Sequence, residues 1–431
     1  MRYPFVVGLL AIVAATARLP EAPSAFDSLS NGLVDNTTHQ TDQSKFDEVE
    51  QLSDGVGPLY NAQSCRECHQ NPVSGAASQV TEMRVGHRGP GGAFENPSIP
   101  IARGTVIITG RSLVNDRAIC ANGQFPNSEI QERVPLTETI LATRMSLNIL
   151  GDGFVEAVAD ETLINLARRQ PAESRGKIHG QALYVPVVEA PGQTRVGRFG
   201  WKDQHASLLS FSADAYVNEM GITSRLQPDE VTAICNTVSE PNNTPESDGL
   251  EDIDHFTRFM RATKAPPRDA VLAETATAMR GSQIFDAIGC AICHVRSLAT
   301  APAGTKINGG TFTVPAALGG KVFHPYSDFL LHNVGTGDGI VQSFQEHYGR
   351  RAYSTGWRNL SGAEFYNTAD KIRTAPLWGV RMQPRLMHDG LSLTFRDAIL
   401  RHRREANDVT LRFESLSYVQ QEDLFQFLRS L

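Results

Sequence analysis

Two pentapeptides in this chain, Cys65-Arg66-Glu67-Cys68-His69 and Cys290-Ala291-Ile292-Cys293-His294, share the pattern C-x-x-C-H. Two thiols three positions apart reach the two vinyl groups on one side of a porphyrin. The next residue turns its imidazole under the ring to the iron. This is the pattern of c-type haem attachment. With 6 Cys and 12 His in 431 residues, composition alone gives about 0.002 expected copies. A redox dithiol or half of a zinc site also uses C-x-x-C, but neither calls for a histidine in the next position twice. The spacing predicts two covalently bound haem c groups.

The other side of each iron is either a second ligand or an open position. For the first haem the nearest candidate is His87, 18 residues after His69, in the Gly-rich stretch Val85 to Gly92. A ligand on such a loop can leave its iron; the plainer alternative is a solvated loop histidine. For the second haem, Phe395, Ala398, Ile399 and His402 fall at i, i+3, i+4 and i+7 of a helix expected over Thr394 to Glu405. His402 therefore faces inward, as an iron ligand or as a hydrogen-bonded core histidine. His388, Met382 and Met387 are weaker candidates, Met being more often core. Leu208, Phe211 and Ala215 form an apolar stripe that Glu219 continues. A carboxyl there has a raised pKa suited to acid–base work, unless it sits at a frayed helix end paired with an Arg.

The elements that must position these residues are expected to be mainly helical. Helices are expected over residues 156–169 and 205–220, from about Asp269 into the second motif, and at the C-terminus. There Ser417 and Gln420 make a capping box, with Leu424, Phe425 and Leu428 on the buried face. Strands are expected at Thr105 to Thr109 and, about a Pro191-Gly192 turn, within residues 183–199. The expected architecture is mainly α: two cytochrome c-like haem domains, 26–262 and 268–431, with a small β insertion in the N-terminal half. A linker with Ala265-Pro266-Pro267 joins them, and residues 236–249 read as a loop.

Arg2, an apolar run and Ala15-Thr16-Ala17 read as a secretory signal peptide over residues 1–17, with Pro23-Ser24-Ala25 as a second cleavage choice. The run is shorter than the roughly 20 residues of a membrane span, and no later segment approaches one. The mature chain is expected in the periplasm, where the two remaining cysteines, Cys120 and Cys235, are expected to pair, the alternative being two buried thiols. Net charge is −7, from 40 basic against 47 acidic residues, which argues against a nucleic-acid partner. The hydrophobic share, 41%, is enough to fill real cores.

Several blocks resemble a known family. They are CRECHQNP from Cys65, GDGFVEAVAD from Gly151, RFGW from Arg198, NEMGIT from Asn218, PYSDFLLHNVG from Pro325 and TAPLWGVRMQPRLMHDG from Thr374. The chain looks like the di-haem oxidoreductases related to bacterial di-haem cytochrome c peroxidases, from about residue 55 to the end. The resemblance implies that His87 is the detachable distal histidine of the peroxidatic haem. It implies that Glu219 assists O–O cleavage, that Gln204 corresponds to the active-site Gln, and that Trp201 lies between the haems. Asn96 is similar to a calcium ligand, although the second calcium-ligand segment matches poorly around Met382 to Arg385. One departure is clear. The electron-transferring haem of those peroxidases has an axial Met, where this sequence aligns His402; Met raises a haem potential, so His/His ligation implies a lower one.

The expected function is reduction of hydrogen peroxide with electrons from a small redox protein, a cytochrome or a cupredoxin. Two competitors remain: a non-catalytic electron carrier with both irons six-coordinate, and an oxidase of a protein or organic substrate.

Overall fold

The structure, a computed structural model, describes residues 19–229, 234–235, 245–342 and 367–431. The expected signal peptide and most of the 236–249 loop lie outside the described residues.

In the N-terminal half, α1 (Asn36–Asp47), α2 (Cys65–Cys68), α3 (Asn127–Ile130), α4 (Asp152–Glu156), α5 (Asp160–Glu173), α6 (Leu208–Met220) and α7 (Asp252–Ala262) are the helices. α6 packs on α7, and α7 on α1. α6 starts where the Ser207 hydroxyl accepts from the amides of Leu209 and Ser210, the usual service of an N-cap serine. It stops at Gly221, whose φ of 74° is left-handed. A Cβ there would lie 2.7 Å from the Gly57 carbonyl oxygen, so only glycine lets the helix end dock on that segment.

In the C-terminal half, α8 (Ala270–Ala273) and α9 (Ala276–Ile288) lead into the second motif. They are followed by α10 (Phe395–Leu400), α11 (Asn407–Glu414) and α12 (Tyr418–Arg429). The Ser417–Gln420 capping box is present. α9 and α12 approach backbone to backbone at Gly281, where a Cβ would meet the Asp423 carbonyl. Phe285 and Phe427 pack edge-on beside it, 5.2 Å apart.

The expectation of a mainly α chain is overturned. The described residues are 33% helix and 15% strand, with twelve helices and several small sheets among them, a mixed α and β architecture. The principal sheet centres on β2 (Thr81–Arg88). Most of the other strands in this half are very short: β1 (Leu59–Tyr60) and β7 (Arg117–Ala118), which pair with each other, β4 (Ile99–Ile101) and β5 (Val106–Ile108), which do likewise, and β3 (Phe94–Glu95) and β6 (Leu113–Val114); β8 (Ile140–Met145) is longer. β2 carries β3, β6 and β8, all antiparallel. Strands of two or three residues are too short to show a period-two pattern, and β2 alternates weakly, so the sheet leaves little mark on the sequence. The strand expected at Thr105 to Thr109 forms as β5, paired with β4, and the two strands expected within residues 183–199 form as Tyr184–Pro186 with Thr194–Val196.

Residues 20–25 form a strap. The Ala22 amide bonds the Val322 carbonyl at 2.7 Å, and Ala25 bonds Ala265 at 3.1 Å. Cys120 and Cys235 are disulfide-bonded. The largest core joins Phe46, Phe154, Phe256 and Phe259 to Phe323, Phe329 and Trp378. A second core, around Phe285, Phe413, Leu424 and Phe427, lies under the second motif. Among the described residues no helix is long and apolar enough to cross a membrane.

Candidate functional site: two histidine-floored cavities

The first motif lies on α2, and His69 follows it with its amide bonded to the Cys65 carbonyl at 3.1 Å. Cys65, Cys68 and His69 line a cavity of about 590 Å³. Phe46, Phe211, Ala215, Phe256 and Met260 give it apolar walls, and Glu219 and Met220 come from the last turn of α6. Burial pushes the His69 imidazole down to about 4, so it is neutral, the form that binds a metal. Its buried Nδ1 has no hydrogen-bond partner.

Among the described residues Glu219 is the one carboxyl lining this cavity. Desolvation first, and the neighbouring Glu82 second, push its pKa up to about 8. Asn61 Nδ2 donates to Glu219 Oε2 at 2.8 Å. The amides of Asn61 and Ala62 bond the Glu219 carbonyl at 2.7 and 3.1 Å. These bonds tie the end of α6 to the segment entering the first motif.

The second motif follows Gly289, which ends α9, and it lines a cavity of about 1360 Å³ that opens to solvent. Both His294 and His402 line it, among Phe285, Leu377, Leu386 and Ile399. Their ring centroids are 6.5 Å apart. Two imidazoles on opposite sides of one iron, with bonds of about 2 Å, need much the same separation. His294 Nδ1 bonds the Tyr326 carbonyl at 2.9 Å and His402 Nδ1 bonds the Ala398 carbonyl at 2.8 Å. Both Nδ1 atoms thus carry the hydrogen, which leaves Nε2 as the ligand atom. The expected helix Thr394 to Glu405 stops at Leu400, where the Arg401 amide bonds both Asp397 and Ala398. His402 is delivered from the turn beyond it, held there by Thr410 Oγ1 donating to its carbonyl at 2.6 Å.

Both cavities fit a haem attached through the preceding cysteines. All four motif cysteines are unpaired, and each pair faces an apolar cavity with a neutral imidazole at its floor. In the second cavity Arg373 is buried with its Nε unsatisfied. Its nearest carboxyl, Asp203, stands 4.0 Å away and is pushed well above the usual carboxylate range by burial, so this guanidinium would be placed to pair with a haem propionate.

The other predicted residues are placed as follows. Trp201 lines the second cavity, and its indole Nε1 donates to the Met145 carbonyl at 2.7 Å. From Met145 the chain runs through Leu147, whose backbone lies against His69. Trp201 thus borders the second cavity and bonds the segment that runs on to Leu147; it does not line the first cavity. His388 also lines the second cavity, edge-on to Trp201 at 6.0 Å, with burial lowering its pKa to about 4. Met387 lines that cavity too, whereas Met382 is on the surface. Gln204 is buried, but its Oε1 accepts from the Lys202 amide at 2.9 Å and shapes a turn; it lines neither cavity.

His87 is not brought to the first cavity. It lies near the outer end of β2, with Nδ1 bonded to Glu138 at 2.9 Å and Nε2 3.5 Å from Glu95. Five residues of strand, about 17 Å, separate it from Glu82. Asn96 follows β3, and its buried Oδ1 has no partner. Among the described residues the one group of three side chains able to hold a metal is Cys293, Asp328 and His332, elsewhere in the chain.

Several charged groups beside the cavities are not evident from the sequence reading. Glu82 is paired with Arg84 at 2.5 Å. Asp338 is held between Arg144 and Lys202, both at 2.8 Å. His332 joins Asp328 at 2.9 Å and Glu405 at 3.0 Å. Two of these carry a local signal: Glu82 and Arg84 are spaced i, i+2 on a strand, and Asp328 and His332 are spaced i, i+4.

A family model described as "Di-haem oxidoreductase, putative peroxidase" matches residues 121–431, which include the second motif but not the first. Among curated proteins none matches. Solved structures that are similar include hydrazine synthase of Kuenenia stuttgartiensis, with 14% identity, TM-score 0.39 and all of both chains covered. The di-haem peroxidase BthA of Burkholderia thailandensis has 14% identity and TM-score 0.39, covering 96% of this chain and 95% of that one. A MauG-like protein associated with microbial copper homeostasis has 17% identity and TM-score 0.26, covering 43% and 55%. With the match extending over most of its length, the chain belongs to the di-haem oxidoreductase, putative peroxidase family.

Proposed function

We propose that this chain is an exported di-haem c-type oxidoreductase that reduces hydrogen peroxide with electrons from a small redox protein. One observation carries the reading: the two cavities are unlike. The second has two facing imidazoles, whereas the first has one imidazole and the Glu219 carboxyl. A closed pair of ligands suits electron transfer; a site with an acid in place of a second ligand suits chemistry.

In this reading Cys65, Cys68 and His69 hold one haem c, and Cys290, Cys293, His294 and His402 hold the other. The haems supply the redox equivalents and a coordination position. The protein does the rest. Phe46, Phe211, Phe256 and Met260 keep the first cavity apolar, which strengthens every polar contact made inside it. Asn61 orients the Glu219 carboxyl, and Glu219 passes protons to the peroxide oxygens. Trp201 and the segment it bonds, which runs on to Leu147 beside His69, link the two cavities. The balance is one peroxide, two protons and two electrons giving two waters. The electrons arrive singly from a cytochrome or a cupredoxin.

Export rests on residues 1–17. The strap at residues 20–25 bonds Val322 and Ala265, which favours cleavage after Ala17 over cleavage after Ala25. Calcium at Asn96 gains no support from a neighbouring cluster of carboxylates.

The test is an EPR spectrum of the holoprotein, oxidised and then after one electron equivalent. One low-spin and one openable, peroxide-sensitive haem supports the reading. Two haems that stay low-spin and inert to cyanide and peroxide make the chain an electron carrier instead.

A further inference from the structure

Behind Glu219 stands a second carboxyl with no assigned role. Glu82, on β2, is within hydrogen-bonding reach of Glu219. Both of its oxygens are gripped by one guanidinium: Arg84 Nε at 2.5 Å and Nη2 at 3.2 Å. Arg144, on β8, lies directly opposite Glu82 in the β2–β8 register. Glu67 and Arg117 are the next charges out, paired at 3.0 Å beside Cys68. The cations of α7 are occupied elsewhere, Arg258 with Asp42 and Arg261 with Glu156.

Two carboxylates in hydrogen-bond contact cannot both be ionised, because like charges at that distance repel by more than the bond returns. One proton must lie between them. The surroundings say where. Two arginines favour the ionised form of Glu82. Glu219 faces an apolar cavity and has no ion pair among the described residues, Arg84 being the last and smallest of the influences on it. Asn61 fixes the remaining choice: its Oδ1 accepts from the Asp116 amide at 2.8 Å, so its Nδ2 is the atom that donates to Glu219 Oε2. That leaves the other oxygen of Glu219 as the place for the proton.

We propose that Glu82 and Glu219 form a carboxyl pair that holds one proton at neutral pH, with Glu82 the positioning residue that keeps the proton on Glu219. The pair then has one proton to give and one vacancy to fill. A protonated Glu219 on its own could donate but not accept. With Glu82 behind it, Glu219 takes a proton from the near peroxide oxygen as its own passes to Glu82. The reverse transfer readies a proton for the far oxygen, and the pair ends as it began. This cycle rests on the proposed reading of Glu219; the proton-sharing itself does not.

The experiment is a pH titration of the holoprotein followed by infrared difference spectroscopy of protonated carboxyl groups. The wild type should lose a band at a midpoint of about 8, and E219Q should lack that band. E82Q should move the midpoint down by about one unit or more, since a like charge is removed. E82D, which keeps the charge, should restore it. Should E82Q fail to fold, R84Q serves: loss of that cation should move the midpoint up. A midpoint unmoved in E82Q, or unmoved or lowered in R84Q, overturns the pair whatever turnover does. If the midpoint moves as expected while E219Q keeps full turnover, the pair stands and the proton-donor reading of Glu219 falls.

Discussion

His294 and His402 face one another across the second cavity, 6.5 Å between ring centroids, and each gives its Nδ1 to a backbone carbonyl. Two separate stretches of chain, one leaving α9 and one leaving α10, are thus locked to present Nε2 to a common point. Among the described residues no second imidazole lines the cavity of His69, where Phe211, Ala215 and Glu219 stand instead.

This difference predicts the behaviour of His402→Ala. Haem content should stay at two, because the cysteines are untouched. One low-spin haem per chain should be lost and replaced by a high-spin signal, and imidazole in solution should restore the low-spin spectrum. EPR before and after imidazole measures this. A spectrum unchanged by the substitution would remove His402 from the iron.

Glu219→Gln should keep both haems and lower peroxide turnover by about 10²–10⁴-fold, the range for losing a positioned acid–base group. In the wild type the acid form exists below a pKa of about 8. The proton-dependent part of the rate should therefore fall as pH rises through that value. Turnover that survives in the variant, or a rate flat across this window, counts against an acid role.

The placement of His87 gives a prediction opposite to the one its spacing suggests. Glu138 and Glu95 hold the imidazole on the sheet, and the Glu138 hydrogen bond raises its pKa. His87→Ala should leave the spectrum and cyanide binding of the first haem unchanged. A shift to high spin in that variant would show that His87 does reach the iron, and that β2 moves to let it.

What the sequence reveals here depends on range. The C-x-x-C-H motifs and the Glu219 stripe are set by neighbours within two helical turns, so spacing alone exposes them, whereas His402 reaches its cavity from the turn beyond a helix that stops at Leu400. The Ser417 cap is equally local. The sheet around β2 is different: β6 and β8 meet it from 30 and more residues away, and most of the strands are two or three residues long. The pairs Glu82–Arg144 and Asp338–Lys202 are likewise products of strand register and loop closure, which no local pattern records. His87 shows the reverse failure. A histidine at a plausible distance along the chain is carried off by a strand that runs the wrong way.

The buried ion triad predicts how the chain responds to acid. The Asp338 side chain is 1% exposed and bonds Arg144 and Lys202 at 2.8 Å each. Burial alone would raise its pKa, but Arg144 first and Lys202 second hold it well below the usual carboxylate range. Lys202 is lowered by burial to about 8 and remains charged at neutral pH. Asp338→Asn leaves these two cations facing a neutral group, although Lys202 keeps the carbonyls of Thr368, Ala369 and Lys371. Breaking a buried pair in this way costs about 3–5 kcal/mol. A depressed carboxyl pKa contributes stability that is present above the unfolded value, about 3.9, and is lost as pH falls toward the folded one. The gap between wild type and Asp338→Asn should therefore be full at neutral pH and close progressively below about pH 4. Denaturant unfolding of both holoproteins across that range measures it. Equal stability at pH 7, or a gap that does not narrow in acid, would mean that the triad positions the Trp201 loop without stabilising the fold.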